Sequence, residues 1–246
     1  MKAILIATLI AISIKSFGQD MQKYLSETKE MVTQKKYKEA LERYIWFQDH
    51  ALEYNKAMSG VRLSFALSYW KELAEVYPPA MIALIEMRDI KTKAILDSNA
   101  SIKLFADVVG LNRTLGEANK TIELFESIRQ LHPDKSQYCW FYARDALFNA
   151  KRYDIIKNYI GNPINEFAVL KSQYDLMNSL QKNQNMNRPE LKRPELKLHS
   201  DNNFVKKSLE LIEFSIAVND LKSAKEIREQ AMTIVSDIRL RDYKIE

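Results

Sequence analysis

His50 and Glu53, one helical turn apart in Asp49-His50-Ala51-Leu52-Glu53, have the spacing of a two-ligand metal platform. A site needs further ligands, and the chain has only three histidines, with His132 and His199 far along the sequence. The segment reads as a solvated helix face. Gly110-Leu111-Asn112-Arg113-Thr114-Leu115-Gly116, followed by Lys120-Thr121, has the glycines of a phosphate loop. In such a loop the lysine directly follows the second glycine and a strand precedes it. Neither holds here, so the stretch reads as a helix end, a turn and the next helix start. Cys139 is the only cysteine, and no histidine stands in a local signature that would make it a nucleophile. Its neighbours Tyr138, Trp140 and Phe141 read as a packed helix. No Gly-x-Ser-x-Gly elbow occurs, and carboxylate pairs such as Asp20–Glu27 and Glu72–Glu75 fall on polar helix faces. The residues thus predict a protein that is not an enzyme, with no cofactor and no bound metal.

Aromatic and cationic groups offer binding rather than catalysis. Tyr and Phe total 22 and Trp adds three, more than groove anchors would need, so most must be inter-helix core. Charge is mild. The formal value of +5 falls to +3 if a leader carrying Lys2 and Lys15 is removed, and acids are interleaved with the bases. A concentrated basic stripe is missing, which argues against a nucleic-acid partner. With one cysteine no intramolecular disulfide can form, so packing must stabilise the fold.

That leader is residues 1–18. Met1-Lys2 gives a positive start, Ala3 to Ile14 an apolar run, and Ser16-Phe17-Gly18 small residues ahead of a cut before Gln19. About a dozen apolar residues are too few for a spanning helix, which needs roughly 20. The expectation is a signal peptide and an exported chain, periplasmic or secreted, without a stable membrane anchor and compatible with a bacterial envelope.

The elements that must position any site are helices. Gly and Pro number only 5 and 6, and no β-branched alternation appears. Tyr24, Leu25, Thr28, Met31 and Val32 define one helix face; Gln34-Lys35-Lys36 breaks it, and a partner runs from Tyr37 to about Asn55. Leu63, Ala66, Leu67, Trp70, Leu73, Ala74 and Tyr77 define another helix, stopped at Pro78-Pro79, and Ala80 to Ala94 returns. Val109 and Ala143, Ile122 and Ile156, and Phe125 and Tyr159 each lie 34 residues apart. Gly116 ends one first helix, Lys151-Arg152 marks the equivalent turn, and a further helix is expected over 163–182. Asn183 to Asn203 is expected to be irregular, because its tandem Arg-Pro-Glu-Leu-Lys repeat (188–197) sets two prolines five residues apart. It reads either as a linker or as a docking peptide presented by Leu191 and Leu196. A final helical pair fills 204–246.

The motif Tyr37-x-x-Ala40-x-x-x-Tyr44, its half-copy Leu221-x-x-Ala224, the degraded Tyr153-x-x-Ile156-x-x-Tyr159 and the period of 34 together resemble the tetratricopeptide family. The early Trp and Leu-Gly pattern of strong members is absent. The resemblance implies an all-α, antiparallel helix-pair solenoid of about eleven helices, with the repeats over 19–182 and the C-terminal pair packed on them, and with Ala66, Ala143 and Val109 midway along first helices where axes cross. It also implies that first helices line a concave groove, which in this register receives Lys103, Arg113, Gln137, Trp140 and Arg144. Such a groove would suit a peptide with acidic and aromatic groups or a C-terminal carboxylate. The function expected is a non-catalytic scaffold or adaptor for a protein or peptide partner. The other expectation is an exported helical small-ligand-binding protein or enzyme.

Overall fold

The computed structural model describes residues 20–97, 101–187 and 194–245. The expected signal peptide and the middle of the Arg-Pro-Glu-Leu-Lys repeat, 188–193, lie outside the described residues. Among the described residues there are thirteen α-helices and no strand, so the fold is all-α and built from adjacent helices packed in pairs. Three of the thirteen are single turns, leaving ten longer helices against the eleven or so expected. The chain divides into two compact units, one ending at Ile128 and one beginning at Arg129.

The first unit holds α1 (Met21–Thr33), α2 (Tyr37–Tyr54), the single-turn α3 (Ser59–Arg62), α4 (Phe65–Val76), α5 (Pro78–Leu96), α6 (Ile102–Leu115) and most of α7 (Ala118–Leu131). Apolar residues at three-four spacing turn one face of each helix inward, and the core gathers Met21, Tyr44, Phe47, Leu67, Trp70, Leu73 and Leu84. Tyr44 stacks on Trp70 at 6.5 Å, and the Trp70 indole N–H donates to the Ala80 carbonyl at 3.0 Å. That bond gives the buried indole its partner and ties α4 to the start of α5. Pro78 occupies the first turn of α5, where its missing N–H costs nothing. Ala40, Ala66 and Ala80 are buried where helices approach closely.

The second unit holds α8 (Pro133–Asn149), the single-turn α9 (Tyr153–Ile156), α10 (Pro163–Asn187), α11 (Pro194–Ala217), α12 (Leu221–Ile234) and the single-turn α13 (Ile238–Arg241). Aromatic pairs fill it: Phe148 and Tyr153 each meet Phe214, while Phe167 and Tyr174 each meet Phe204. The irregular stretch expected over 183–203 is shorter. The α10 backbone stays helical to Asn187, and α11 begins at Pro194. Pro194 is compatible with this because it opens the helix, where proline is pre-organised, rather than interrupting one.

One turn recurs four times. Lys35, Gly116, Lys151 and Asn219 all take left-handed backbone conformations, with φ of 61°, 76°, 53° and 62°. In each case the next residue's N–H reaches back five positions: Lys36 to Met31, Glu117 to Asn112, Arg152 to Leu147 and Asp220 to Ser215. The left-handed residue itself bonds three positions back, which completes a Schellman closure every time. The following helix always starts two residues after it, and five residues after it lies a buried side chain: Ala40, Thr121, Ile156 and Ala224.

This closure corrects the register expected from the sequence. Gly116 and Lys151 are 35 residues apart, not 34. Val108 rather than Val109 therefore matches Ala143, and Thr121 rather than Ile122 matches Ile156. Burial agrees, since Val108 is enclosed and Val109 is half-buried. Paired apolar neighbours such as Val108-Val109 let a slip of one pass unnoticed in sequence. The second helix expected over 153–159 is also reduced to one turn. Gly161 and Pro163 follow it closely, and a proline disfavours helix at the residue before it.

Candidate binding surfaces

On α8 the expected groove residues divide between core and solvent. Trp140 is only 8% exposed, stacked on Tyr159 at 5.0 Å and near Phe148 at 6.5 Å, so it is core. The outward aromatics are its neighbours Tyr138 and Phe141, 63% and 75% exposed. Gln137 is exposed beside them. Arg144 is partly buried, donates to Glu166 at 3.1 Å and lies 5.3 Å from the Phe148 ring centre, so its charge is already matched within the unit. Of the three groove residues expected on α8, only Gln137 therefore points to solvent unpaired.

In the first unit Lys103 is exposed near the start of α6, and Arg113 is exposed near its end. Gly110 brings α6 close to the α3–α4 junction: a Cβ there would meet Leu67 Cδ1 at 3.2 Å and Leu63 Cδ2 at 3.3 Å. One turn later Arg113 Nη2 donates to the Leu63 carbonyl at 2.5 Å. The small residue at this crossing is thus Gly110, not Val109. The contact borders a cavity of about 420 Å³ lined by Leu63, Ser64, Phe65 and Ser68 from one side. Lys71, Arg113 and Thr114 complete it.

The other chemistry-bearing residues are settled by their surroundings. His50 Nδ1 lies 3.2 Å from Glu53 Oε1 on an exposed face, and the ring packs near Trp46. Among the described residues no three His, Cys, Asp or Glu side chains gather as a metal set. Gly116 is a left-handed helix cap and Gly110 is internal to α6, so the glycine pair forms no phosphate loop. Cys139 is buried, and burial pushes its thiol up to about 11, the opposite of an activated nucleophile.

Two buried polar clusters have no counterpart in the sequence reading. Arg62 and Asp107 pair deep in the first unit; Lys91 reaches Asp107 at 3.2 Å and Asp49 at 2.9 Å, and Arg62 also donates to the Gln48 carbonyl. Arg88 pairs with Asp89 and Glu117 and donates to Asn112 at 3.3 Å, while Asn112 donates to Thr121. The Arg88 guanidinium, bonded to Glu117, holds that carboxyl below the usual carboxylate range, with Lys120 contributing. A cavity of about 280 Å³ beside Arg88 and Lys120 is bordered by Asp89 and Glu123, so its cations face acids. The available signal was a charge inside an apolar run: Arg62 between Val61 and Leu63, and Asp107 between Ala106 and Val108.

The fold and these surfaces define an all-α protein of packed helix pairs with exposed aromatic and cationic faces. Compared with models of protein families, with curated proteins and with solved structures, the chain matches none.

Proposed function

We propose that this chain is an exported, non-catalytic scaffold or adaptor of tetratricopeptide-like design that holds a protein or peptide partner on a helical face. The observation that carries the reading is the outward face of α8, where Tyr138 and Phe141 stand in solvent beside Gln137 while Trp140 packs inward. Large rings left uncovered at successive turns are the side chains that anchor partners, because they bury much area for little lost rotamer freedom. The four Schellman-closed turns with a buried residue at a fixed offset support the repeat design.

The test is cross-linking capture from the native envelope, with captured proteins identified and rebound in purified form to wild type and to Tyr138→Asp/Phe141→Asp. Purified partner should bind wild type and lose most of its affinity for the double variant. Equal binding to both would remove α8 as the docking face. A second reading, a small-ligand-binding protein, is favoured by the cationic cavity beside Arg113.

A further inference from the structure

The cavity at the α4–α6 contact differs in charge from the two buried polar clusters of the first unit. Arg62, Arg88, Lys91 and Lys120 all face carboxylates. Arg113 and Lys71 do not. Among the described residues neither has an acidic partner in ion-pair range, and no acid lines the cavity. Arg113 is held by the Leu63 carbonyl through one nitrogen only, and the Lys71 ammonium has a methionine sulfur, Met81, at 3.9 Å. Two cations thus converge on one concavity with their charge unmatched.

The other donors fit the same kind of ligand. Ser64, Ser68 and Lys71 fall at four- and three-residue steps, one stripe along α4 facing the end of α6. The Ser64 and Thr114 hydroxyls donate to the carbonyls of Gly60 and Gly110, whereas the Ser68 hydroxyl has no hydrogen-bond partner among the described residues. No side chain caps the first turn of α4. A lone carboxylate would neutralise one cation and leave the other. A phosphate monoester carries about −1.5 to −2 charges at neutral pH and three acceptor oxygens, which suits an arginine fork, an ammonium and a hydroxyl together. Phe65 adds the remaining feature, a ring 61% exposed on the cavity wall that would lie against an apolar ester group.

We infer that this cavity is a binding site for a phosphate monoester, with Arg113 and Lys71 on the phosphate, Ser68 donating to it and Phe65 against the esterified group. The inference does not depend on whether a protein docks on α8.

Calorimetric titration of the purified chain with phenyl phosphate, inorganic phosphate and benzoate tests it. One saturable site should bind phenyl phosphate tighter than inorganic phosphate, with benzoate roughly tenfold or more weaker than phenyl phosphate. Arg113→Met and Lys71→Met should each weaken phenyl phosphate roughly 10- to 100-fold, the worth of one charge-assisted bond. Lys103→Met, outside the cavity, should leave affinity unchanged. Arg113→Lys, which keeps the charge and loses the fork, should fall between, and it decides the matter if Arg113→Met alters the fold. No saturable binding of phenyl phosphate, benzoate binding as well as the ester, inorganic phosphate binding as tightly, or unchanged affinity in Lys71→Met and Arg113→Lys would each overturn the proposal.

Discussion

Arg62 and Asp107 form an ion pair with side chains only 3% and 2% exposed, joining the one-turn α3 to the middle of α6. Neither charge could be left there alone, because desolvation costs several kcal/mol per ion unless a partner compensates. Lys91 supplies the second cation on Asp107 and carries the chain of charges outward to Asp49. Asp107→Ala should therefore cost about 3–5 kcal/mol, since it strands Arg62 in the interior. Arg62→Met/Asp107→Leu should lose much less, because an apolar pair of similar volume replaces both charges. Urea unfolding followed by tryptophan fluorescence measures both. A double variant as damaged as the single one would mean that the pair does more than match charge.

The four left-handed turn residues make a second expectation, with opposite signs at different positions. At Gly116 (φ 76°) any side chain meets the left-handed penalty, so Gly116→Ala should destabilise by about 1 kcal/mol. At Lys35 and Lys151 the penalty is already present, and glycine would remove it. Lys151→Gly should stabilise by a few tenths to about 1 kcal/mol, less than the full penalty because glycine also loosens the unfolded chain. Shifts in the urea midpoint at constant slope give the answer. Destabilisation by Lys151→Gly would show that the lysine side chain, which reaches Glu213 at 3.1 Å, outweighs the backbone strain.

How much of this was legible in the sequence follows from which signals have a neighbour that can imitate them. Helix identity did not depend on single residues: the spacing from Ala66 to Ala74 and the Pro78 start at α5 are seen in the fold, with Leu63 in the α3–α4 break and Tyr77 capping α4. The turn positions were also legible, because Gln34-Lys35-Lys36, Gly116 and Lys151-Arg152 are polar or glycine breaks between apolar faces. Register was not, because Val108-Val109 offers two apolar residues for one buried place and Thr121-Ile122 buries both of its residues. Ala143 alone does not fix which side of α8 turns inward, so Trp140 reads toward the groove and Phe141 only as a packed neighbour of Cys139. Arg113 escaped the error because the end of α6 is exposed on more than one side. Arg62 and Asp107 showed only as charges inside apolar runs, because their pairing depends on a contact across 45 residues, which no local period reports.

The exchange of roles between Trp140 and Phe141 is directly measurable. Trp140 stacks on Tyr159 and is enclosed, so Trp140→Ala should cost about 3–5 kcal/mol of stability. Phe141 is exposed, and Phe141→Ala should move stability by no more than about 0.5 kcal/mol. Comparing the two melting temperatures shows which ring is core without any knowledge of a partner.

The C-terminal segment should report pH through Asp237. Its carboxylate accepts from the Arg239 backbone N–H at 2.8 Å and from the Arg239 guanidinium at 2.7 and 2.9 Å, capping α13, whose Leu240 is fully buried. The guanidinium bond, chiefly, with the backbone N–H adding to it, holds the carboxyl down to about 2, below an unfolded value near 3.8. A folded value below the unfolded one means that the ionised form is the stabilising form. Its contribution is complete above about pH 4 and is lost as pH falls through about 2. The site is close to solvent, so screening keeps the effect near that of an ordinary cap, about 0.5–1 kcal/mol. Asp237→Asn should thus lower stability at pH 7, and the gap to wild type should close as both approach pH 2. Amide exchange at Leu240 and Arg241 reads this locally. A gap that stayed constant down to pH 2 would place the stabilisation in the shape of the side chain rather than in its charge.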